Sequence, residues 1–391
     1  MKTRYLGLII LFIFPIGQMS IDIYAPSLPA ISHDFLASST DVKLTVSLFV
    51  VTYAIAQLFY GPLSDQFGRK KPLITAMLIY IIGTLLATFA AKLYVLYIAR
   101  FLQGIGVAGI MVIVRAMISE SFKGNMLKKI SSYIALLFSG SAIISPWIGG
   151  LLQYISGWRS VFILLLIYGL ISFILMLSLP ETHHKRAQFN LLQFIQNSKE
   201  IVTHCTFLSA ICFQSVVLSF FFVFALQGTF VIQKGLGMSA SAFGELALII
   251  GFGVLIGSLI NKTYSTRIAT LQLIKICFSL MLLTSIIFVI FSCLFPQSLY
   301  LMVIASFIWA LIATTAGPSF FSLFLSTFSM NAGLSNALSG FATYTLVGII
   351  TFIMSHFQQT NLLPICIYTL FASIIAWGSY FAIKRPLREF S

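Results

Sequence analysis

The chain has 391 residues, of which 59% are hydrophobic and only 8% are Asp, Glu, Lys or Arg. A mean hydropathy of +1.02 excludes a water-soluble domain, because no folded core of this size hides so much apolar surface. The formal net charge of +14 does not point to nucleic acid, since the basic residues sit between apolar runs rather than on one soluble face.

Apolar stretches of about 20 residues, each sufficient to cross a hydrocarbon core of roughly 30 Å, recur from end to end. They predict spans at residues 5–31, 42–62, 72–91, 94–119, 129–152, 159–179, 206–233, 240–260, 270–293, 299–326, 333–356 and 363–384. These are about twelve helices, because lipid cannot satisfy an open backbone and a barrel would show short alternating segments. Residues 1–19 look like a signal peptide, but the same pattern repeats to the C-terminus, so they are read as an uncleaved first helix. One set of connections holds Lys2, Arg4, Arg69, Lys70, Lys71, Lys128, Lys129, Lys185, Arg186, Lys262, Arg267 and Arg385, among others. The other set holds only Lys43, Lys92, Arg159 and Lys234, so the positive-inside rule predicts both termini on the cytoplasmic side of a cell inner membrane.

The long polar connection near the chain midpoint, 180–199, divides the spans six and six. The expected fold is therefore an all-α membrane protein with two pseudo-symmetric halves: residues 1–180, a cytoplasmic linker at 181–205, and residues 206–391. A weak repeat agrees with the division, since Gly61 to Asp65, closing the second span, has a shifted echo in Gly257 to Asn261, closing the eighth.

In the first span, Asp22 lies well inside the apolar stretch. An isolated carboxylate there is costly unless it takes up a proton or finds a partner. Proton carriage, fixed pairing with Arg100, and a helix-end position near the periplasm are all open readings. The second and third spans are joined tightly by Gly61-Pro62-Leu63-Ser64-Asp65-Gln66-Phe67-Gly68-Arg69-Lys70-Lys71-Pro72. Gly and Pro permit the turn, the acid can pair or meet a helix N-terminus, and the bases suit the membrane interface.

The fourth span carries Arg100-Phe101-Leu102-Gln103-Gly104-Ile105-Gly106. Helical spacing puts Arg100, Gln103 and Arg115 on one broad face, so two cations and an amide are expected to look into one cavity, with structural pairing as the alternative for Arg100. Lipid exposure is disfavoured, since a central charge costs about 2.5–3.5 kcal/mol. Glu120 ends this span about 30 Å along the helix from Arg100, too far to pair with it. In the fifth span Gly140, Ser145, Pro146, Gly149 and Gly150 suit close helix approach and a kink.

These segments carry a resemblance. Residues 61–72 are similar to motif A of the major facilitator superfamily, residues 100–106 to its motif B, and residues 140–150 to its antiporter motif C, with Ser145 where that motif has glycine. Asp22-Ile23-Tyr24-Ala25-Pro26-Ser27-Leu28-Pro29 resembles the Asp-x-Tyr-x-Pro-x-x-Pro signature of the Bcr/CflA drug/proton antiporters, and residues 115–122 are also similar to antiporters of the MdfA kind.

The resemblance implies two halves rocking around a central cavity. It implies proton-coupling or substrate roles for Asp22, Arg100, Gln103 and Arg115, and a cytoplasmic gate made by Gly61, Asp65, Gly68, Arg69, Lys70 and Glu120. Gly140, Pro146, Gly149 and Gly150 would shape the antiporter helix. The implied activity is efflux of lipophilic drugs or related small molecules by a monomer, driven by the proton gradient without a cofactor; its partners are substrate, protons and the bilayer, with no nucleic acid. A dedicated carrier of one metabolite, such as a siderophore or other anion, is the alternative, because Arg100 and Arg115 suit an anion.

No enzyme is expected, since the sequence shows no nucleophile, base and oxyanion constellation and no metal-ligand spacing among its cysteines and histidines. Glu245 is expected in the first turn of the eighth span. The many aromatics of the second half read as membrane filling, with Gln214, Gln227, Met302 and Ser319 as candidates for lining an apolar pocket.

Overall fold

The computed structural model describes residues 2–182, 191–265, 267–327, 332–357 and 361–389. Lys185 and Arg186 lie outside the described residues. Among the described residues the secondary structure is helical, and eleven segments are long and apolar enough to cross a membrane. Two compact units are formed, Met1–Leu191 and Leu192–Ser391.

The first unit begins with a departure from expectation. In place of one continuous span, the chain makes α1 (Lys2–Ile13), α2 (Ile16–Asp22), a 3-10 turn (Ala25–Ser27) and α3 (Leu28–Asp34). Pro15, Pro26 and Pro29 supply the reason, since each lacks the N–H that would continue the helical ladder. Together these pieces still form a 30-residue apolar crossing, Tyr5–Asp34, interrupted directly after Asp22.

Next come α4 (Ser39–Phe67), α5 (Lys70–Thr88), α6 (Leu93–Ser121), α7 (Gly124–Ser156) and α8 (Arg159–Leu177). A capping box starts α4: the Ser38 hydroxyl accepts from the Asp41 amide at 3.1 Å, and the Asp41 carboxylate accepts from the Ser38 amide at 3.3 Å. Lys43, expected in a polar connection, lies inside α4 and is fully buried.

The centre of the unit is α6, which packs against both α4 and α5. Small residues on α6 permit this, as a Cβ added at Gly106 would stand 2.7 Å from the Ala76 carbonyl oxygen. Lipid offers no hydrophobic drive between helices, so such close backbone approach, with its dispersion contacts, holds the bundle.

The second unit contains α9 (Leu191–Thr203), α10 (Cys205–Val223), two π-helical turns (Phe224–Gly228 and Val231–Gly235), α11 (Ala240–Tyr264), α12 (Thr270–Leu294), α13 (Leu299–Thr327), α14 (Ala332–Ser355) and α15 (Leu363–Glu389). Within it α13 packs on α11 and α12, as α6 does on α4 and α5 in the first unit. The seventh span is thus regular only as far as Val223; the Gln227 side chain within its first π turn donates to the Met354 carbonyl.

Many of the aromatics form the interior of this unit. Phe213 lies 4.9 Å from Phe278 and 4.7 Å from Phe320 between ring centroids, and Phe220 lies 4.3 Å from Trp309. Met302 and Gln227 are buried with them. Glu245 falls in the second turn of α11, whose first turn has no acid and is capped instead by Ser239. Asn261, the counterpart of Asp65 in the weak repeat, donates to the Thr315 carbonyl at 2.6 Å and to the Ser319 hydroxyl at 2.7 Å, binding α11 to α13.

Candidate functional site

The turn between α4 and α5 requires Gly68, whose φ of +87° is a backbone conformation that residues with a Cβ seldom adopt. A Cβ at Gly68 would also stand 2.6 Å from Glu181 Oε2. That carboxylate caps α5, accepting from the amides of Arg69 at 2.8 Å and Lys70 at 3.1 Å, where the positive end of the helix dipole favours an anion.

Arg69 turns inward, nearly buried, and its guanidinium serves three acceptors. It donates to Ser64 Oγ at 2.5 Å, meets Asp65 Oδ1 at 2.6 Å, and reaches Glu120 Oε1 at 2.7 Å. Burial works against the charge, but Glu120 and Asp65 outweigh it and hold the guanidinium above its ordinary range. Thr182 donates to the other Glu120 oxygen at 2.8 Å, and Lys70 Nζ donates to the Leu177 carbonyl at 2.9 Å. The cluster therefore ties the α4–α5 turn to the end of α6 and to the segment following α8.

Of the expected gate residues, Asp65, Gly68, Arg69, Lys70 and Glu120 are brought together here. Gly61 is not crowded, as a Cβ there would meet nothing within 4 Å. Sequence reasoning did not assign Glu181 or Thr182 to this site. Their signal was their position in Pro180-Glu181-Thr182, directly after a span.

A second polar network lies deeper in the unit. Arg100 is fully buried, with its guanidinium carbon 4.2 Å from the centroid of Phe49 and 4.7 Å from that of Tyr24. Its Nη1 donates to the Ser20 carbonyl at 3.1 Å and to Gln103 Oε1 at 2.9 Å. Gln103 donates onward to Thr84 at 2.9 Å, and the Tyr80 and Ser20 hydroxyls lie 2.9 Å apart, so α2, α5 and α6 are linked. Cation–π contacts of about 2 kcal/mol each and charged hydrogen bonds of about 1.5–3 kcal/mol work against an insertion cost of about 2.5–3.5 kcal/mol, while Arg100 Nε and Nη2 are buried with no hydrogen-bond partner among the described residues.

The shared cavity face expected for Arg100, Gln103 and Arg115 is not formed. Arg100 and Gln103 are enclosed, whereas Arg115 is exposed, about 22 Å further along α6, with its guanidinium 5.8 Å from the Phe14 ring. Helical phase was right for the two buried residues. It could not show that α2 and α4 would seal them.

Asp22 stands apart from both networks. It makes no ion pair with Arg100; its carboxylate accepts from Gln18 Nε2 at 2.5 Å. The following residue, Ile23, lies at the break in the first crossing and touches α7, where a Cβ added at Gly149 would be 2.1 Å from the Ile23 carbonyl oxygen. Pro146 lies within α7 and Gly150 is buried, while a Cβ at Gly140 would meet nothing within 4 Å. Gly149 thus brings α7 against the acid-bearing break. Gly149→Leu is expected to reduce transport at least tenfold while Gly140→Ala keeps near-normal rates, measured in proteoliposomes at matched protein incorporation.

Another tie joins α3 to α8. Trp158 Nε1 donates to Asp34 at 2.7 Å, and Arg159 approaches the same carboxylate at 3.6 Å while stacking on Trp158 at 4.1 Å. Among the described residues no three of His, Cys, Asp and Glu gather as a metal site.

The sequence profile described as Major Facilitator Superfamily matches residues 9–353. The chain is 26% identical over 376 residues to the uncharacterized MFS-type transporter YdgK of Bacillus subtilis, covering 95% of this chain and 93% of that protein. It is 23% identical over 402 residues to a bicyclomycin resistance protein homolog of Haemophilus influenzae, covering 97% and 98%. A crystal structure of a D-xylose-proton symporter matches with a TM-score of 0.76 at 14% identity, covering 96% of this chain and 98% of that one, a likeness of fold alone. Since the profile covers most of the chain and both relatives match nearly end to end, the protein belongs to the Major Facilitator Superfamily of membrane transporters.

Proposed function

We propose that the protein is a proton-coupled exporter of lipophilic drugs or related small molecules. Its halves, residues 1–180 and 206–391 joined by the linker 181–205, alternate access to the two sides of the cell inner membrane. Both termini are cytoplasmic, and the monomer is the working unit. As a member of a transporter family it moves its solute rather than transforming it.

The observation that carries this reading is Asp22: a carboxyl group inside an apolar crossing, beside a helix break, with Gln18 as its hydrogen-bond partner and no counter-ion among the described residues. Such a group can take up and release a proton where a fixed ion pair would hold it charged. Its neighbour touches Gly149 on α7, so a change at the acid has a direct mechanical path to a second helix. The Arg69 cluster acts as the latch that biases one side closed, and Arg100 with Gln103 positions α2 beside the acid.

End-to-end similarity to a bicyclomycin resistance protein homolog supports drug efflux. The complete burial of Arg100 between Tyr24 and Phe49 favours this over a carrier of anionic metabolites, because the cation presents no open face to an anion. The test is transport in proteoliposomes under an imposed pH gradient with a broad compound panel. Proton-dependent movement of several unrelated lipophilic compounds is expected; displacement by one chemical class alone, or indifference to the gradient, would refute the proposal.

A further inference from the structure

Three consecutive basic residues, Arg69, Lys70 and Lys71, follow Gly68, and two of them are engaged within the protein. Lys71 is not: its side chain is exposed and makes no hydrogen bond or ion pair among the described residues, and it lines a groove. The groove, about 670 Å³, runs between α4 and α5 with Phe101 and Ile105 of α6 as its floor. Its walls are almost wholly apolar, with Ile55, Phe59 and Leu63 on one side and Thr75 and Ile79 on the other. From Phe67 back to Thr52 it extends about 22 Å at 1.5 Å per residue, more than the roughly 15 Å depth of one leaflet.

Its origin lies in how the helices pack. Both α4 and α5 lie close on α6 but make few contacts with each other, leaving a cleft between them that stays open to the outside. Phe59 remains 66% exposed there, which in a membrane-crossing helix means a hydrocarbon neighbour rather than water.

We infer that this groove is a binding site for one anionic phospholipid, with an acyl chain between α4 and α5 and the phosphate at Lys71. Charge complementarity selects the occupant: the apolar walls match a hydrocarbon chain, and an ammonium without a partner among the described residues stands at one end, where the headgroup would lie. A basic residue between helices at a membrane surface is a general recognition device for anionic headgroups. The groove adjoins the turn that carries the Arg69 cluster but is lined by neither Asp22 nor Arg69, and it does not depend on what the protein transports.

The test is lipid retention after purification from mixed vesicles of phosphatidylglycerol and phosphatidylcholine, read by native mass spectrometry of the intact protein. The wild type is expected to retain one phosphatidylglycerol in preference to phosphatidylcholine. Lys71→Gln, at an exposed position that leaves the fold intact, should lower that preference about fivefold, the ~1 kcal/mol one lysine contributes toward an anionic surface. Ala56→Phe, which fills the groove, should remove both lipids. Lys262→Gln, an exposed basic residue of the second unit, should change nothing. Equal retention of the two lipids by the wild type, or unchanged phosphatidylglycerol retention in Lys71→Gln, overturns the inference; transport measured in the same samples reports separately on the proposed function.

Discussion

Asp22→Asn is expected to abolish uphill export while sparing downhill exchange of the same substrate. Asparagine keeps the size of the side chain and an acceptor oxygen for Gln18, so the local hydrogen bond at 2.5 Å has a replacement and the fold should survive. What it lacks is a titratable proton. One proton crossing with the membrane potential supplies about 2.3 kcal/mol per 100 mV, enough for an accumulation of about fiftyfold, and that factor is what the variant should lose. The measurement is substrate concentration inside and outside proteoliposomes with the proton gradient imposed and then collapsed. A variant that still exports against a gradient, and still responds to the collapse, would show that coupling resides elsewhere.

Arg69→Ala should have the next largest effect, through conformation. The guanidinium is nearly buried, and its loss leaves Ser64, Asp65 and Glu120 without their shared donor. Removing one partner of a fully buried pair costs about 3–5 kcal/mol, but Asp65 is 47% and Glu120 23% exposed, so about 2 kcal/mol is the appropriate scale after screening. That is roughly a thirtyfold change in the population of the latched arrangement. Amide hydrogen exchange across residues 64–75 should accelerate accordingly, and transport should fall with it. Arg69→Lys should lie between, keeping the charge but not the planar fork that meets several acceptors together. Unchanged exchange and transport in Arg69→Ala would remove the latch from the mechanism.

Much of the fold was legible because membrane spans are written locally. Each needs a run of apolar residues, and the charges must collect between runs. The turn at 61–72 was legible for the same reason, since its Gly, Asp and Arg are near neighbours in the chain. Glu181 was not, because it reaches Arg69 across 112 positions and stands in a polar stretch that reads as solvated linker. Arg100 and Arg115 share a helical face by arithmetic, yet one is sealed and the other open; phase gives direction, and only the packing of other helices decides enclosure. Lys43 misled for a related reason, since a charge at a span's edge reads as interfacial unless the neighbouring helices are known to cover it.

The Glu181 cap also bears on where the first half of the protein ends. A chain divided at residue 180 would separate the α5 amides of Arg69 and Lys70 from their carboxylate, and Glu120 from Thr182. On the proposed function, the first residues of the connection, Glu181 and Thr182, are components of the latch. The linker then starts as a structural part of the turn it follows, so a substitution at Glu181 or Thr182 is expected to act on the proposed latch and not merely on the tether.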